Sequence, residues 1–513
     1  VYPTDWAYQA LSNLIERYGC VAGYPNGTYR GNRAMTRFEA AALLNACLDR
    51  VTEVTDELKR LMKEFEKELA IVKGRVDGLE ARVGELEATQ FSTTTKLKGQ
   101  TTFVIGANSF GGDAKQGITE ILLDVVGGKY ERDGTSDTPK AEEAAVLTGA
   151  TTFNYDQRLY IDTSFTGKDL LRTMLRAGNF GNSAFGNDTY VGLNQLEVAF
   201  QEPKTSDSLA LNRLFYQFPI GRSFTITAGA LVRQDEMLAV WPSAYPTDSI
   251  LSFFTYAGAP AVYNKTLGGG AGISWAENDF SVSANYVTCN ANDSRPTTGG
   301  IATNAACSNG TAQIAYAPEN WGLAVAYNYS SGQNGAGVYA GSATPMAVFF
   351  SQLGNSNSLG ISAWWNPVKS SWIPSISLGW GYSNITSMHT SQEMGFGKDW
   401  NKIFSKAITQ SWSIGLQWHD AFLKGNSLGM AIGQPTFVTS WDNISDEVGG
   451  SSFIADGNYA WELWYAFQVT DNIVLTPAIY YLSRPLGADT GESFNALGSF
   501  NNFGGIVKTT FRF

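Results

Sequence analysis

Two hydrophobic periods divide the chain. From Leu48 to Leu86, apolar residues recur at Leu48, Val51, Leu58, Met62, Phe65, Leu69, Val72, Val76, Leu79, Val83 and Leu86, and Thr55 is the one polar position in the series. The steps alternate three and four. A mean of about 3.5 holds one seam on one side of a slightly underwound helix and predicts a left-handed coiled coil over 48–90. In a parallel pairing each g residue faces an e residue five positions on, which sets Glu68 against Lys73, Arg75 against Glu80 and Arg82 against Glu87, each pair of opposite sign. The alternative is one amphipathic helix lying on a globular core, which would follow a period of about 3.6 over a shorter run. Gly74, Gly78 and Gly84 fall away from the seam and each weakens the rod by about 1 kcal/mol relative to alanine. Continuous, such a rod would be about 63 Å long.

Beyond Gln90 the period becomes two. Leu97, Gly99, Thr101, Phe103 and Ile105 alternate with Lys96, Lys98, Gln100 and Thr102, and Leu159, Ile161, Thr163 and Phe165 alternate with Tyr160, Asp162 and Ser164. The same grammar returns in Phe280-x-Val282-x-Ala284-x-Tyr286, Trp321-x-Leu323-x-Val325-x-Tyr327 and Trp461-x-Leu463-x-Tyr465-x-Phe467. These are strands with one apolar and one hydrated face. Short connections are expected at Asp156-Gln157, Pro219–Arg222, Glu277–Asp279, Pro318–Asn320 and Thr470–Asn472, and long Gly-, Asn- and Ser-rich ones at 106–144, 234–268, 288–310 and 330–357. Short turns at one end and long loops at the other predict a mainly β fold, a transmembrane antiparallel β-barrel of about 16 strands over 91–513. The outward Trp and Tyr near strand ends suit its interfacial girdles. A barrel of that size encloses water, and loops 167–208 and 234–268 are expected to fold inward and narrow it.

Residues 1–47 read as helix, loop, helix. The first helix spans about Trp6 to Tyr18, Gly23-Tyr24-Pro25-Asn26-Gly27 is a turn signal, and Thr36 with Glu39 forms a capping box that opens the second helix.

Composition sharpens this division. A chain of 513 residues is long enough for several domains. Residues 1–90 hold 12 Lys+Arg and 14 Asp+Glu, leaving 24 and 33 for the much longer remainder, which also holds 13 of the 14 tryptophans. A net charge of −11 offers no basic patch to neutralise phosphates, so nucleic acid is excluded as a partner. No run of about 18 apolar residues is present, which excludes transmembrane helices. No signal-peptide pattern is visible and Val1 falls inside a motif, so the chain reads as mature or trimmed. Cys289 and Cys307 bracket one polar loop and are expected to pair, which suits an oxidising compartment; Cys20 and Cys47 either pair or remain buried thiols. His389 and His419 stand apart, without Cys or acids at ligand spacing, and the Gly268–Gly272 run lacks the lysine and helix of a phosphate loop. No enzyme, metal or cofactor is expected. Asp235-Glu236 reads as a solvated loop pair.

Two resemblances give these elements a setting. Asp5-Trp6-Ala7, Gly23–Tyr29 and Thr36-Arg37-Phe38-Glu39 resemble the S-layer homology domain, with Phe38 where that family carries alanine. The resemblance implies binding of peptidoglycan or a linked anionic wall polymer. Arg37 would donate to an acidic group, while Trp6, Gly23, Tyr24 and Gly27 would shape the pocket. Against this, Trp6 could be core, Arg37 could pair with Glu39, and the turn could be only a turn. Asp169-Leu-Leu-Arg-Thr-Met-Leu-Arg-Ala-Gly-Asn-Phe180 and Leu211-Asn-Arg-Leu-Phe-Tyr-Gln-Phe-Pro219 are similar to the carbohydrate-selective porin family, and Phe513 resembles the terminal aromatic by which outer-membrane barrels are recognised for assembly. Together they make the whole chain similar to a cyanobacterial outer-membrane porin with its N-terminal domain in the periplasm. The expected partners are outer-membrane lipid and further copies of this chain, as a trimer through rod and barrel. Parity puts Lys98, Asp162, Arg172, Arg176, Arg213, Arg233 and Glu462 on polar faces as pore-lining candidates. Salt bridging across the wall, or burial under an infolded loop, is the alternative for each. The expected activity is passive diffusion of small ions and hydrophilic solutes. A sugar-selective channel and a structural tether with a plugged barrel are the competing readings. Most aromatics fall on the lipid face, with Trp364, Trp464 and Tyr480 the exceptions.

Overall fold

A computed structural model describes residues 1–18, 34–48, 55–75, 94–115, 139–186, 189–201, 206–331, 337–368, 372–387, 404–443, 454–493 and 496–513. The chain divides into two compact units, Val1–Thr93 and Thr94–Phe513.

The first unit is helical, with α1 at Trp6–Tyr18, α2 at Arg37–Leu48 and α3 at Asp56–Glu64. The capping box is present: the Thr36 N–H donates to Glu39 Oε2 at 2.7 Å and the Glu39 N–H to Thr36 Oγ1 at 3.1 Å. The uninterrupted rod is not. Thr55 has an extended backbone (φ −77°, ψ 159°) and serves as the N-cap of α3, its side chain accepting from the Leu58 N–H. The polar exception in the seam is therefore where a new helix starts. A rod would bury Met62 and expose Leu61. Instead, Leu58, Leu61 and Phe65 are buried with Leu11, Leu14, Leu44 and Cys47, and Met62 is exposed. Each buried leucine contributes roughly 1.5–3 kcal/mol, more than a seam awaiting a partner chain can offer an isolated unit. Helical backbone resumes over 66–75, where Leu69 and Val72 pack on the same core. Residues 76–90 of the expected rod lie outside the described residues.

The second unit is a closed barrel of sixteen strands. In chain order these are β1 Thr95–Gly111, β2 Thr152–Thr163, β3 Leu170–Gly178, β4 Ala210–Ile220, β5 Phe224–Arg233, β6 Leu267–Glu277, β7 Phe280–Thr288, β8 Ser308–Tyr316, β9 Trp321–Ser330, β10 Gly354–Trp365, β11 Ser375–Ser387, β12 Phe404–His419, β13 Ser427–Asn443, β14 Tyr459–Thr470, β15 Ile473–Ser483 and β16 Asn501–Arg512. Neighbours pair antiparallel, and β16 closes on β1 from Gln100↔Arg512 to Gly111↔Asn501. Closure pairs every edge, the condition for a sheet to span lipid. The alternation holds: Leu97, Phe103 and Ile105 are exposed while Thr102 and Val104 are buried, and on β9 Trp321, Leu323, Val325 and Tyr327 are exposed while Ala324, Ala326 and Asn328 are buried.

Three connections differ from expectation. Asp156-Gln157 is no turn but lies inside β2, where Asp156 pairs with Gly178 and its carboxylate is buried between two arginines. The turn to β3 is 164–169, organised by Asp169, which accepts from the Phe165 and Thr166 N–H groups. β1 runs on to Gly111, and 167–208 contains β3, so the loops there start at 112 and 179. Cys289 and Cys307 are joined. Cys47 is buried and disulfide-bonded, whereas Cys20 lies outside the described residues.

Candidate permeation pathway

The segment 234–266 leaves β5 and crosses the inside of the barrel to the far wall. Its seat is made of small inward residues. On β10 the Ser362 hydroxyl donates to the Ala257 carbonyl (3.1 Å), on β12 the Ser411 hydroxyl donates to the Gly258 carbonyl (2.9 Å), and on β11 Ser377 Oγ accepts from the Ala244 and Tyr245 N–H groups (both 2.8 Å). Gly258, at φ +75°, turns against Gly379 of β11, and a Cβ on Gly379 would collide with the Ala257 carbonyl. Two backbones meet here because neither carries a side chain.

On the far wall the loop is latched. The Tyr245 hydroxyl donates to Glu462 Oε1 (2.8 Å) and accepts from Trp464 Nε1 (2.8 Å), while the Leu251 N–H donates to Glu462 Oε2 (2.7 Å). On β16, Lys508 Nζ donates to the carbonyls of Asp248 (2.5 Å) and Ser249 (2.9 Å). The loop after β3 meets this segment inside the barrel through a Leu196↔Leu251 bridge, with the Glu197 N–H on the Ile250 carbonyl (3.0 Å) and the Ser252 N–H on the Gln195 carbonyl (2.9 Å). Nearer the outer end, α4 at Pro345–Leu353 packs Phe350 against Phe404 and Trp441. Its N-cap Thr344 donates to the buried Asp456 (2.6 Å), which also accepts from the Val438 and Ala488 N–H groups. Burial pushes the Asp456 carboxyl up to about 6 against these donors.

The opposite wall carries charge. Asp156 takes Arg158 Nε (2.5 Å) and Arg176 Nε (2.6 Å), and Asp162 takes Arg172 through two nitrogens (2.8 and 2.9 Å) and Lys98 (3.3 Å). Arg213 pairs with Glu236 (2.9 Å) and Arg233 with Asp235 (2.5 Å). Thus Lys98, Asp162, Arg172, Arg176, Arg213 and Arg233 lie on one inward face, bonded to one another or to loop acids. Glu462 does not join them. It is fully buried and holds the loop, because Tyr245 and the Leu251 N–H cover both its oxygens.

Arg158, Glu197 and Lys265 were not foreseen. Arg158 shares inward parity with Asp156 and was hidden by reading Asp156-Gln157 as a turn; Glu197 and Lys265 sit in loops, where no period speaks. Burial pushes the Glu197 carboxyl up, but Arg158 and Arg176 hold it down at about 2. Burial and the neighbouring Arg233 push the Lys265 ammonium down to about 8. The three inward aromatics lie across paired glycines: Trp364 on Gly322, Trp464 on Gly429 and Tyr480 on Gly504.

In the first unit Arg37 bonds Glu64 Oε1 (2.8 Å) and Glu68 Oε1 (2.6 Å), not Glu39, and these partners raise its pKa. Glu68 is thereby taken from the interchain pairing expected of it. Trp6 lies under the Arg60 guanidinium, 4.0 Å from the ring centroid. Gly23, Tyr24 and Gly27 lie outside the described residues.

The profile described as carbohydrate-selective porin, OprB family, matches residues 53–513, and that of the S-layer homology domain matches 1–41. The chain belongs to the carbohydrate-selective porin family. A protein of Nostoc sp. is 33% identical over the whole of this chain and 84% of its own length, and one of Synechocystis sp. is 29% identical over the whole chain and 89% of its own. Outer membrane protein SlpA of Deinococcus radiodurans is 36% identical over 86 residues, 15% of this chain and 7% of its own. Among solved structures, Pseudomonas putida OprB aligns with a TM-score of 0.46 at 11% identity, covering 84% of this porin and 96% of that chain. This is an outer-membrane porin, and the family consists of channels without enzymatic activity.

Proposed function

We propose that the barrel gives passive diffusion to small ions and small hydrophilic solutes, and that its first unit tethers it to peptidoglycan or a linked anionic polymer. The observation that carries the channel reading is the division of the lumen. Segment 234–266 seats on the wall of β10–β12, while on the charged face of β1–β5 Lys98 and Arg172 stay partly exposed and the remaining charges are held by one another and by the inward loops. A fixed loop beside inward charge narrows a water-filled path and biases what passes. Stepwise conductance of the full chain in a planar bilayer is the test, and a silent protein would overturn the reading.

A tether with a nearly closed barrel is the second reading. It is favoured by the contact of the two inward loops at Leu196 and Leu251. A sugar-selective channel draws support from the family's description, but Trp464 and Tyr480 are buried and offer no ring face. The chain enters β1 at the barrel end that carries the short turns, so a wall-binding first unit belongs in the periplasm. Trp6, Gly23, Tyr24, Gly27 and Arg37 are the proposed wall contacts. For Arg37, its two glutamate partners mean that an anionic polymer would compete with them for the guanidinium. Co-sedimentation of the full chain with wall sacculi tests the tether, and unchanged pelleting of Arg37→Glu removes Arg37. Trimer formation through the barrel and the segment 48–90 is proposed with it, checked by sedimentation in detergent.

A further inference from the structure

The arginines of the inward wall are each bonded to a carboxylate, Arg158 and Arg176 to Asp156, Arg172 to Asp162, Arg213 to Glu236 and Arg233 to Asp235. Two lysines at the constriction are bonded otherwise. Lys265 Nζ donates to Thr255 Oγ1 (2.7 Å) and sits 4.6 Å from the Tyr256 ring centroid and 5.5 Å from that of Trp241. Lys508 Nζ donates to the Asp248 and Ser249 carbonyls, across the lumen on β16, where it lines an open cavity under the loop with Arg512, Asp248, Gln417 and Gln468. Rings and carbonyls solvate an ammonium without cancelling its charge.

Between the two lies Glu197, at the meeting of the inward loops. Its Oε1 reaches Arg158 at a long 3.5 Å, and its buried Oε2 has no hydrogen-bond partner. Arg158, Arg176, Lys265 and Lys508 all act electrostatically on this one carboxylate. Counted with the wall, the cations Arg158, Arg172, Arg176, Arg213, Arg233, Lys98, Lys265 and Lys508 outnumber Asp156, Asp162, Asp235, Glu236, Glu197 and Glu462 by eight to six, a positive surplus inside a low-dielectric wall, where field lines focus and the local concentration of anions rises.

We propose that the constriction passes small anions, inorganic anions and short carboxylates, in preference to cations, and that Lys265 and Lys508 set this preference while Glu197 moderates it. The assignment rests on the channel reading above. The groups facing Lys265 are Arg233 and Asp235 at the start of its own loop, Glu197 of the other inward loop, Arg158 of β2 and Tyr256.

The test is the reversal potential of the full chain in a planar bilayer under a KCl gradient. The unmodified protein should favour chloride. Lys265→Gln and Lys508→Gln should each lower the chloride-to-potassium permeability ratio by about twofold or more, Lys508→Arg should restore it, and Glu197→Gln should raise it. A potassium-favouring unmodified channel, or a ratio that neither lysine substitution moves, overturns the inference while leaving the channel reading intact. Absence of any conductance in the unmodified protein overturns the channel reading instead. Should a variant fail to assemble, the unmodified channel decides: its chloride preference should fall between about pH 7 and about pH 9 as Lys265 loses its proton, and a flat profile counts against Lys265.

Discussion

The two halves of the inner wall obey one alternation and use it for different ends. On β10–β12 the inward positions are Ser362, Ser377, Gly379 and Ser411, and they bind a stretch of the same chain through hydroxyls and bare backbone. On β1–β5 they are Lys98, Asp156, Arg158, Asp162, Arg172, Arg176 and Arg213, which bind one another or acids of the inward loops, with Lys98 the most exposed of them. Small polar residues make a seat; long charged ones make a lining. Polarity at the inward parity thus says that a side chain faces the lumen, and its size says whether it meets the inward loops through hydroxyl and bare backbone or through ion pairs.

The contrast is strongest where charge is buried. Asp156→Asn leaves Arg158 and Arg176 without their shared carboxylate and should destabilise the barrel by about 3–5 kcal/mol, read as a lowered unfolding temperature in detergent. On the seating wall the corresponding change is steric. Gly379→Val drives two methyls into the Ala257 carbonyl, and the loop yields sooner than the hydrogen-bonded strand, at about 3 kcal/mol. Single-channel conductance should rise several-fold, and an unchanged conductance would place the loop elsewhere. Tyr245→Phe tests the latch more gently. It strips a donor from Glu462 and an acceptor from Trp464, a loss of about 1–2 kcal/mol that should show as flickering current with the mean conductance kept. Lys98→Ala should do least. Its side chain is 60% exposed and Asp162 keeps Arg172, so stability should move by less than about 1 kcal/mol.

Much of this was legible in residue order because lipid is an unforgiving solvent. Period-two alternation with outward aromatics, as in Trp321 to Tyr327, has few solutions other than a closed sheet, and the short turns at Pro219–Arg222 and Glu277–Asp279 fell where expected. Arg172, Arg176 and Arg213 stand at inward parity on their strands, whereas Arg158 was hidden beside a residue read as a turn. What could not be read is what local pattern does not encode. Asp156 looked like a turn residue because aspartate favours turns, and only the arginine across the ladder makes it a buried strand residue. Glu462 shared the parity of a lining residue, but its partners lie more than two hundred positions away in sequence. Thr55 was visible as the flaw in an otherwise apolar seam, yet reading it as a cap requires knowing that Leu58 and Phe65 have a core of their own to enter.

The rings of Trp364, Trp464 and Tyr480 rest on Gly322, Gly429 and Gly504 like slates on a roof, each covering the bare strand beside it. Bulky residues laid tangentially take nothing from the bore. Adding one methyl beneath Trp364 would tilt the slate off its batten and swing an aromatic flap across the conduit, whereas Trp464 and Tyr480 are pinned beneath the loops by Tyr245 and Asn108. Gly322 is thus a place at which the calibre of the bore could be tuned by a single carbon atom.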